Sequence, residues 1–480
     1  NFPGNEVLGK VIGQAKLNIN DHLTEWNLAK IARQLCTIAA TLLLLGGCAS
    51  YGKVENAPKT NLGYEDTYSL SAFEEKKRRE GGPDDISFVV ALSGGGTRAA
   101  AMAYGVLLEL RDTQVVSDNQ QIRLLDEVDH ISSVSGGSFA AAYYGLHGEE
   151  FFNVFEDDFL RRDMNKALGR RLMNPVLWFS TKGRTEMAVE YYDKYLFHDA
   201  TFADMNKPGR PMIVINASDL AYGVRFSFIQ EYFNLLCSDV SSFPVSRAVA
   251  ASSAVPVLFN PIIVENHSGC GTNNIKWPDD IDQRRELDAE LNDLYNGVRT
   301  YDDKENRKYI HLVDGGITDN MGLRAIYDLI QVAGGPESYL QRVGETAKKK
   351  VVVISVNAST NPVPEMDKTT KQPSMLNAMN AMSGVQLHRY NSSTQKILES
   401  NLSEWAAQIS TPETTVTSYF VPVSFEDVDQ PQLSLFLNKI PTTFSLEDDQ
   451  VDALIQSGRE LLRKHPVFKQ LVADMTPSKE

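Results

Sequence analysis

Apolar runs rich in β-branched residues alternate along the chain with stretches of helix-forming residues. The runs with the character of strands cover residues 86–92, 128–134, 211–217, 309–314, 350–357 and 416–423. Apolar positions with helical spacing are found in residues 99–110, 138–144, 374–402 and 446–474. Strands that are apolar along their whole length are typical of a parallel sheet that is buried on both faces. The pattern therefore predicts an α/β fold with three layers: a mainly parallel central sheet, helices on both of its faces and a C-terminal helical extension.

A glycine-rich turn, Ser93–Arg98, follows the first of these strands and leads into a helical stretch. A glycine turn at the start of a helix presents free N–H groups and the positive end of the helix dipole, which suits a phosphate or a developing oxyanion. Gly94, Gly95 and Gly96 are therefore candidates for an anion site. With Ala99, the same turn also satisfies the pattern G-x-G-x-x-A of dinucleotide-binding proteins, but no convincing ribose-binding acid follows the second strand.

Ser135 lies between the strand-like residues 128–134 and a helical stretch. A serine on a sharp strand-to-helix turn is the arrangement of a nucleophile elbow, in which backbone strain exposes the hydroxyl. The usual pattern G-x-S-x-G has glycine two positions before the nucleophile, where this chain has Ser133. Since serine is among the smallest replacements for glycine, the departure weakens the motif without breaking it.

Asp314 ends the run 309–314 and is followed by Gly315 and Gly316. A free aspartate has a pKa of roughly 3.9 and is a poor base for a serine hydroxyl. A site that uses Asp314 as its base must therefore bury it, because burial raises the pKa of a carboxyl group. Since the glycine turn, Ser135 and Asp314 each follow a strand-like run, we expect all three at one rim of a parallel sheet.

In this order, the three segments resemble the motifs of bacterial patatin-like phospholipases, which are serine–aspartate lipid acyl hydrolases. The resemblance extends over about residues 86–357 and includes a fourth motif, the small-residue segment AASSAVPVLF at 250–259. It implies a nucleophile, Ser135, a base, Asp314, an oxyanion hole formed by Gly94, Gly95, Gly96 and Gly136, and an anion-orienting side chain, Arg98. The expected activity is of the phospholipase A or lysophospholipase type. The expected substrate is a membrane lipid or lipid ester, and no cofactor is expected.

Two other classes of protein remain as alternatives. An ordinary α/β-hydrolase would use a Ser–Asp–His triad, and His388 and His465 follow Asp314 in the required order. Both histidines stand in helix-like surroundings without a strand-end loop. The other alternative is a lipoprotein that keeps the fold as a non-catalytic lipid-binding module.

The N-terminal region has the pattern of a bacterial export signal. Lys30 and Arg33 precede the apolar run 35–45, which is too short to cross a bilayer, since that requires ~20 residues. The run ends in Leu-Gly-Gly-Cys, which resembles a lipobox. We therefore predict a signal segment at 27–47, lipidation of Cys48 and a tether at 48–85. The alternative is an apolar helix that packs on the domain.

The residues after Cys48 bear on the location of the protein. Ala49 and Ser50 stand where an aspartate would retain a lipoprotein in the inner membrane of enteric-type bacteria. We therefore expect a lipid-anchored protein of the bacterial cell envelope, on the periplasmic side of the outer membrane.

The predicted organisation of the rest of the chain is a catalytic domain at 86–360, a polar insertion within it at 266–308, and the C-terminal extension at 361–480. Leu287, Leu291 and Leu294 have helical spacing, which predicts a surface helix in the insertion. The insertion lies between the small-residue segment and the Asp314 strand, so it either overhangs the site or, more commonly, forms a plain surface excursion.

Charge and cysteine content narrow the function further. The net charge of −15 argues against a nucleic-acid-binding protein, which would need a basic surface. No zinc or calcium-loop pattern is visible, so we expect no metal. Cys237 and Cys270 either pair in an oxidising compartment or remain buried thiols, and their spacing does not decide between the two.

Overall fold

Among the described residues, eight strands build one central sheet, with helices around it. The structure is a computed structural model, and it describes residues 52–60, 63, 67–79, 85–117, 120–164, 166, 183–256, 258–270, 277–361 and 365–476. The strands are β1 Ala57–Pro58, β2 Ile86–Leu92, β3 Gln114–Ser117, β4 Gln120–Arg123, β5 His130–Val134, β6 Met212–Asp219, β7 Arg225–Ser227, β8 Ser238–Asp239, β9 Ile262–Glu265, β10 Tyr309–Asp314, β11 Lys350–Asn357 and β12 Thr417–Ser424.

The helices lie between and after these strands. They are α1 Leu70–Arg79, α2 Thr97–Asp112, α3 Gly136–His147, α4 Phe151–Phe155, α5 Arg184–Tyr192, α6 Phe202–Met205, α7 Gln230–Leu235, α8 Val245–Ser252, α9 Ile281–Leu287, α10 Ala289–Arg299, α11 Gly316–Asp319, α12 Arg324–Ala333, α13 Pro336–Val343, α14 Met375–Gln408, α15 Pro431–Lys439, α16 Asp448–Lys464 and α17 Pro466–Asp474. Two π-helical segments, Glu156–Leu160 and Asp193–Phe197, continue α4 and α5.

The central sheet has the strand order β12-β11-β2-β5-β6-β10-β9, and β7 also pairs with β6. The five strands from β12 to β6 are parallel to one another, and β7 runs antiparallel to β6. β10 runs antiparallel to both β6 and β9. The sheet is therefore mainly parallel, as the sequence predicts, with an antiparallel pairing on each side of β10.

The direction of β10 corrects one expectation. The sequence predicts that Asp314 lies at the carboxyl-end rim of parallel strands, together with the glycine turn and Ser135. β10 instead enters the sheet from the opposite direction. Apolar runs alone do not specify strand direction, because a buried strand has the same composition in either orientation.

The bounds of most elements agree with the sequence pattern. β2 and β11 cover the predicted runs 86–92 and 350–357. The predicted helix at 446–474 is divided into α16 and α17, since Pro466 lacks the N–H that would continue α16 and begins α17 instead. In the insertion, Asp288 follows the end of α9, and its side chain caps the start of α10. The predicted surface helix is therefore divided into two, and Leu287 is 84% exposed while Leu291 is buried.

The C-terminal residues are part of the core of the fold. β12 forms one edge of the central sheet. α16 crosses α2 at very short range. A Cβ on Gly105 of α2 would lie 2.2 Å from the carbonyl oxygen of Ile455, and a Cβ on Gly458 of α16 would lie 2.5 Å from the carbonyl oxygen of Met102. Glycine at both positions allows the two helix backbones to touch.

The described part of the predicted tether also contacts the rest of the chain. β1 pairs with β8, and Lys77 of α1 forms an ion pair with Asp129. Cys237 and Cys270 form a disulfide across 33 positions of the sequence. The predicted signal segment 27–47 and Cys48 lie outside the described residues. Within the described part, the helices are all too short or too polar to cross a bilayer.

Candidate active site

Ser135 lies on the tight turn between β5 and α3, as its sequence predicts. Its backbone has φ 49° and ψ −117°, which is a strained conformation for a residue with a side chain. The Ser135 N–H donates to Oγ of Ser252 at 2.8 Å. The turn therefore holds the serine at the end of a parallel strand and at the first turn of a helix.

The hydroxyl of Ser135 donates a hydrogen bond to Oδ2 of Asp314, with an O–O distance of 3.0 Å. The register of the sheet explains this contact although β10 is antiparallel. Val134 on β5 lies opposite Asn216 of β6, and Asp314 on β10 lies opposite the next residue of β6, Ala217. The two side chains therefore meet from opposite sides across one point of β6.

Burial controls the acidity of Asp314. Its side chain is 8% exposed, and desolvation raises the pKa of the carboxyl group to about 6, although hydrogen bonds from the Gly316 N–H and the Ser135 hydroxyl oppose the shift. The Gly316 N–H lies 2.7 Å from Oδ1. At neutral pH the group is thus a carboxylate that is more basic than an exposed aspartate.

The glycine turn lies against the start of α3. A Cβ on Gly136 would lie 2.0 Å from the carbonyl oxygen of Gly96, so the two backbones meet only because position 136 has no side chain. Gly95 and Gly96 have φ angles of 143° and 62°. The amide of Gly136 is the first of α3, and the first N–H groups of a helix have no acceptor within the helix.

Gly94 differs from the other predicted oxyanion donors. Its N–H donates to the carbonyl oxygen of Asn320 at 2.9 Å. The prediction that Gly94 contributes an N–H to an anion conflicts with this bond, because the group has one hydrogen and Asn320 accepts it. The donors that remain from the prediction are Gly95, Gly96 and Gly136.

Arg98 is buried at the start of α2, where its guanidinium contacts the main chain. Nε donates to the carbonyl oxygen of Ala358 at 2.8 Å, and one terminal nitrogen donates to that of Ile440 at 2.6 Å. Burial lowers the pKa of Arg98 to about 10. The side chain fastens the glycine turn to two distant segments, and its anion-orienting role stays a prediction.

Three residues that contact the site have no role in the sequence prediction. They are Ser252, which bonds the Ser135 amide, Asn320, which bonds the Gly94 amide, and Thr443, whose carbonyl oxygen accepts the Thr97 N–H at 2.8 Å. Ser252 falls within the small-residue motif, which is visible in the sequence. Its hydrogen bond with the Ser135 amide is not. The carbonyls of Asn320 and Thr443 leave no signal in a sequence, because every residue has one.

His388 and His465 are the two histidines that the sequence offers for a Ser–Asp–His triad. Nε2 of His388, on α14, lies 3.9 Å from a carboxylate oxygen of Glu426. His465 lies between α16 and α17, and burial lowers its pKa. The Ser135 hydroxyl bonds the aspartate instead. In the part of the chain that the structure describes, no group of three or more His, Cys, Asp or Glu side chains is placed to hold a metal ion.

Comparison with known proteins identifies the kind of domain that contains this site. Residues 90–327 match the family model for patatin-like phospholipase. The chain therefore contains a patatin-like phospholipase domain at residues 90–327. No curated protein matches the chain.

Solved structures with a similar arrangement include human GIVD cytosolic phospholipase A2, at 10% identity and a TM-score of 0.43, with 88% of this chain and 66% of that enzyme covered. A structure of the same human enzyme in complex with methyl gamma-linolenyl fluorophosphonate is 11% identical, with a TM-score of 0.38, and covers 85% of this chain and 62% of that one. The type III effector protein ExoU is 14% identical, with a TM-score of 0.22, and covers 82% of this chain and 79% of that one.

Proposed function

We propose that this protein hydrolyses fatty acyl esters of lipids, with Ser135 as the nucleophile and Asp314 as the general base. The observation that carries the proposal is the 3.0 Å hydrogen bond from the Ser135 hydroxyl to Oδ2 of Asp314. The patatin-like phospholipase domain at residues 90–327 supports a lipid ester as the substrate. A phospholipase A or lysophospholipase type of reaction is the finer form of the proposal.

In the first step, Oγ of Ser135 attacks the ester carbonyl carbon while its proton passes to Oδ2 of Asp314. The carbonyl oxygen becomes an oxyanion, and the amides of Gly95, Gly96 and Gly136 are the proposed donors to it. Each well-placed donor of this kind typically contributes about 3–4 kcal/mol to the transition state. The tetrahedral intermediate then collapses, and the leaving alcohol takes the proton from Asp314.

In the second step, Asp314 removes a proton from water as the water oxygen attacks the acyl-enzyme carbonyl. Collapse of the second intermediate breaks the bond to Oγ, releases the fatty acid and returns the proton to Ser135. The same carboxyl group thus acts as base and then as acid in each half of the cycle. A pKa of about 6 suits both roles, because the group is ionised at neutral pH and still accepts a proton readily.

The test is incubation of the purified protein with a panel of phospholipids, lysophospholipids and short-chain esters, with measurement of released fatty acid. A fluorophosphonate probe, followed by peptide mapping, locates the reactive serine. We expect release of fatty acid and labelling at Ser135, and we expect Ser135→Ala to abolish both. Ser392→Ala is the matched control, because Ser392 is an exposed serine on α14 whose hydroxyl donates to the carbonyl oxygen of His388 in the same helix.

The same assay separates the dyad from a triad. His388→Ala and His465→Ala are expected to retain activity, since the proposed base is Asp314. A fall to about one-thousandth in either variant would instead indicate a histidine base, since general-base catalysis typically contributes 10²–10⁴-fold. Lipid binding by the protein with no turnover of any ester would favour the non-catalytic alternative.

We further propose that Cys48 carries a lipid anchor that places the enzyme at the outer membrane of the bacterial envelope. The motif Leu-Gly-Gly-Cys supports this part of the proposal. Metabolic labelling with a fatty acid should mark the protein and should be lost in Cys48→Ser. Recovery of the unlabelled protein in the cytosolic fraction would contradict the anchor.

A further inference from the structure

Three buried serine hydroxyls form a connected group beneath the Ser135 turn. Oγ of Ser138 lies 3.1 Å from Oγ of Ser133 and 3.0 Å from Oγ of Ser252. All three side chains are excluded from solvent. The large majority of buried polar side-chain atoms in folded proteins have hydrogen-bond partners, as these three hydroxyls do.

Ser252 occupies the end of this group that touches the nucleophile. Its Oγ accepts the N–H of Ser135 at 2.8 Å and donates to the carbonyl oxygen of Asn216 at 2.6 Å. Asn216 is the residue of β6 that lies opposite Val134, directly before the turn. The hydroxyl of Ser252 therefore links the strained turn to β6, the strand next to β5 in the sheet.

The main chain around Ser252 holds the other half of the site. The carbonyl oxygen of Ser252 accepts the N–H of Gly315 at 3.1 Å, and that of Ala254 accepts the N–H of Asp314 at 3.0 Å. One residue at the end of α8 thus bonds the nucleophile through its side chain and the loop of the acid through its backbone.

We infer that Ser252 is a positioning residue that sets the distance between the Ser135 hydroxyl and the Asp314 carboxylate. This inference rests on the proposed function. The physical reason is the φ of 49° at Ser135, because such a conformation persists only where neighbouring groups fix it. Loss of the hydroxyl removes the acceptor of the Ser135 amide and the donor to Asn216, so the turn relaxes and Oγ moves away from the acid.

The variant Ser252→Ala tests the inference, and Ser253→Ala is its matched control. Ser253 is also buried and is the next residue, but its Oγ bonds the carbonyl oxygen of Val249 within α8 at 2.8 Å. We expect kcat per fluorophosphonate-titrated site to fall about 10- to 100-fold in Ser252→Ala, equivalent to about 1.4–2.7 kcal/mol. We expect KM to change by less than about twofold, because Ser252 does not contact substrate. Ser253→Ala should stay within about threefold of the parent in both.

Counting titrated sites separates positioning from folding, because unfolded molecules do not react with the probe and drop out of kcat. The variant Ser252→Cys provides a second measurement, since a thiol keeps a hydrogen-bonding group at this position but a weaker one. We expect its kcat to fall between those of the parent and Ser252→Ala. The acid limb of the pH profile should also move to higher pH in Ser252→Ala, because the Ser135 hydrogen bond lowers the pKa of Asp314.

An unchanged kcat per titrated site in Ser252→Ala, or a loss no greater than in Ser253→Ala, would overturn the positioning role. A parallel measurement on Ser135→Ala keeps the two proposals distinct. If Ser135→Ala retains activity, the proposed function itself fails; if it is inactive while Ser252→Ala behaves as the parent, only the positioning role fails.

Discussion

Ser135 and Asp314 lie 3.0 Å apart, but the two regions of the molecule that hold them are built differently. Ser135 belongs to a continuous strand–turn–helix unit, in which β5 and α3 follow each other directly in the chain. Asp314 ends an antiparallel strand, and its position depends on main-chain bonds to residues 252 and 254, about sixty positions earlier. The turn that carries the proposed nucleophile is thus encoded by neighbouring residues, whereas the position of the proposed base depends on the assembled core.

The largest effect is expected from the two proposed catalytic side chains, Ser135 and Asp314, and it distinguishes their proposed roles. Ser135→Ala removes the atom that bonds the substrate, so both turnover and fluorophosphonate labelling should be absent. Asp314→Asn keeps the nucleophile but removes the base, so turnover should fall about 10²–10⁴-fold while labelling persists at a reduced rate. Full activity in Asp314→Asn would show that the acid half of the site is misassigned.

The variants Gly136→Ala and Gly315→Ala should disrupt the Ser135 region and the Asp314 region separately. A Cβ at 136 would lie 2.0 Å from the Gly96 carbonyl oxygen, and one at 315 would lie 2.4 Å from that of Asn216. Since both contacts are with backbone, we expect each alanine variant to lose about 10²-fold or more of its activity, as a small misplacement at an active site can cause. Steady-state assays with the same lipid ester measure this.

Gly384→Ala is the control for those two variants. Gly384 lies in α14, and a Cβ there would meet no heavy atom within 4 Å. Activity should not change, and stability should rise by up to about 1 kcal/mol, because alanine is the better helix former. Normal activity in Gly136→Ala or Gly315→Ala would mean that the close backbone contacts do not limit the site.

The pH dependence of catalysis should report the buried half of the site. In its proposed role as base Asp314 must be ionised, and burial raises its pKa to about 6. We therefore expect kcat/KM to level off above about pH 6 and to fall about tenfold per pH unit below it. A profile that stays flat down to about pH 4 would indicate an exposed aspartate with an ordinary pKa.

The pH dependence of folding stability provides an independent check on the pKa of Asp314. A rise in pH is expected to increase catalysis but to decrease the stability of the folded state. The folded state binds the Asp314 proton more tightly than the unfolded state, so its stabilising contribution is complete at low pH and is lost as pH rises through about 6. Asparagine does not ionise, so the Asp314→Asn variant does not lose stability in this way as the pH rises. The change in Tm caused by Asp314→Asn should therefore be more favourable at pH 8 than at pH 5.

The smallest effect on catalysis is expected from the disulfide near the antiparallel side of the sheet. Cys237 and Cys270 close a loop of 33 positions. The variant with serine at both positions should lose about 3–4 kcal/mol of unfolding free energy, from the entropy of loop closure in the unfolded chain. Activity at 25 °C should remain close to that of the parent, since neither cysteine bonds the dyad. Equal denaturation midpoints for the two proteins would show that the bond contributes nothing.

The sequence predicted those features that neighbouring residues determine. β2, β11 and the Ser135 turn follow from local runs of apolar residues and from a serine at a strand end. The direction of β10 did not follow, because an apolar strand carries no mark of its orientation. The contacts of Arg98 were also inaccessible, since its acceptor at Ile440 lies 342 positions away and is a main-chain carbonyl.

The order of strands has a practical consequence for the design of shorter versions of this protein. The family match ends at residue 327, but β2, which leads into the glycine turn, pairs on its outer side with β11 at residues 350–357. A protein truncated at the family boundary would leave β2 with a row of unpaired amides and carbonyls, which is a template for aggregation. A shortened version of the protein must therefore extend at least through β11, and the contacts of Arg98 with Ile440 and of α2 with α16 lie still farther along the chain.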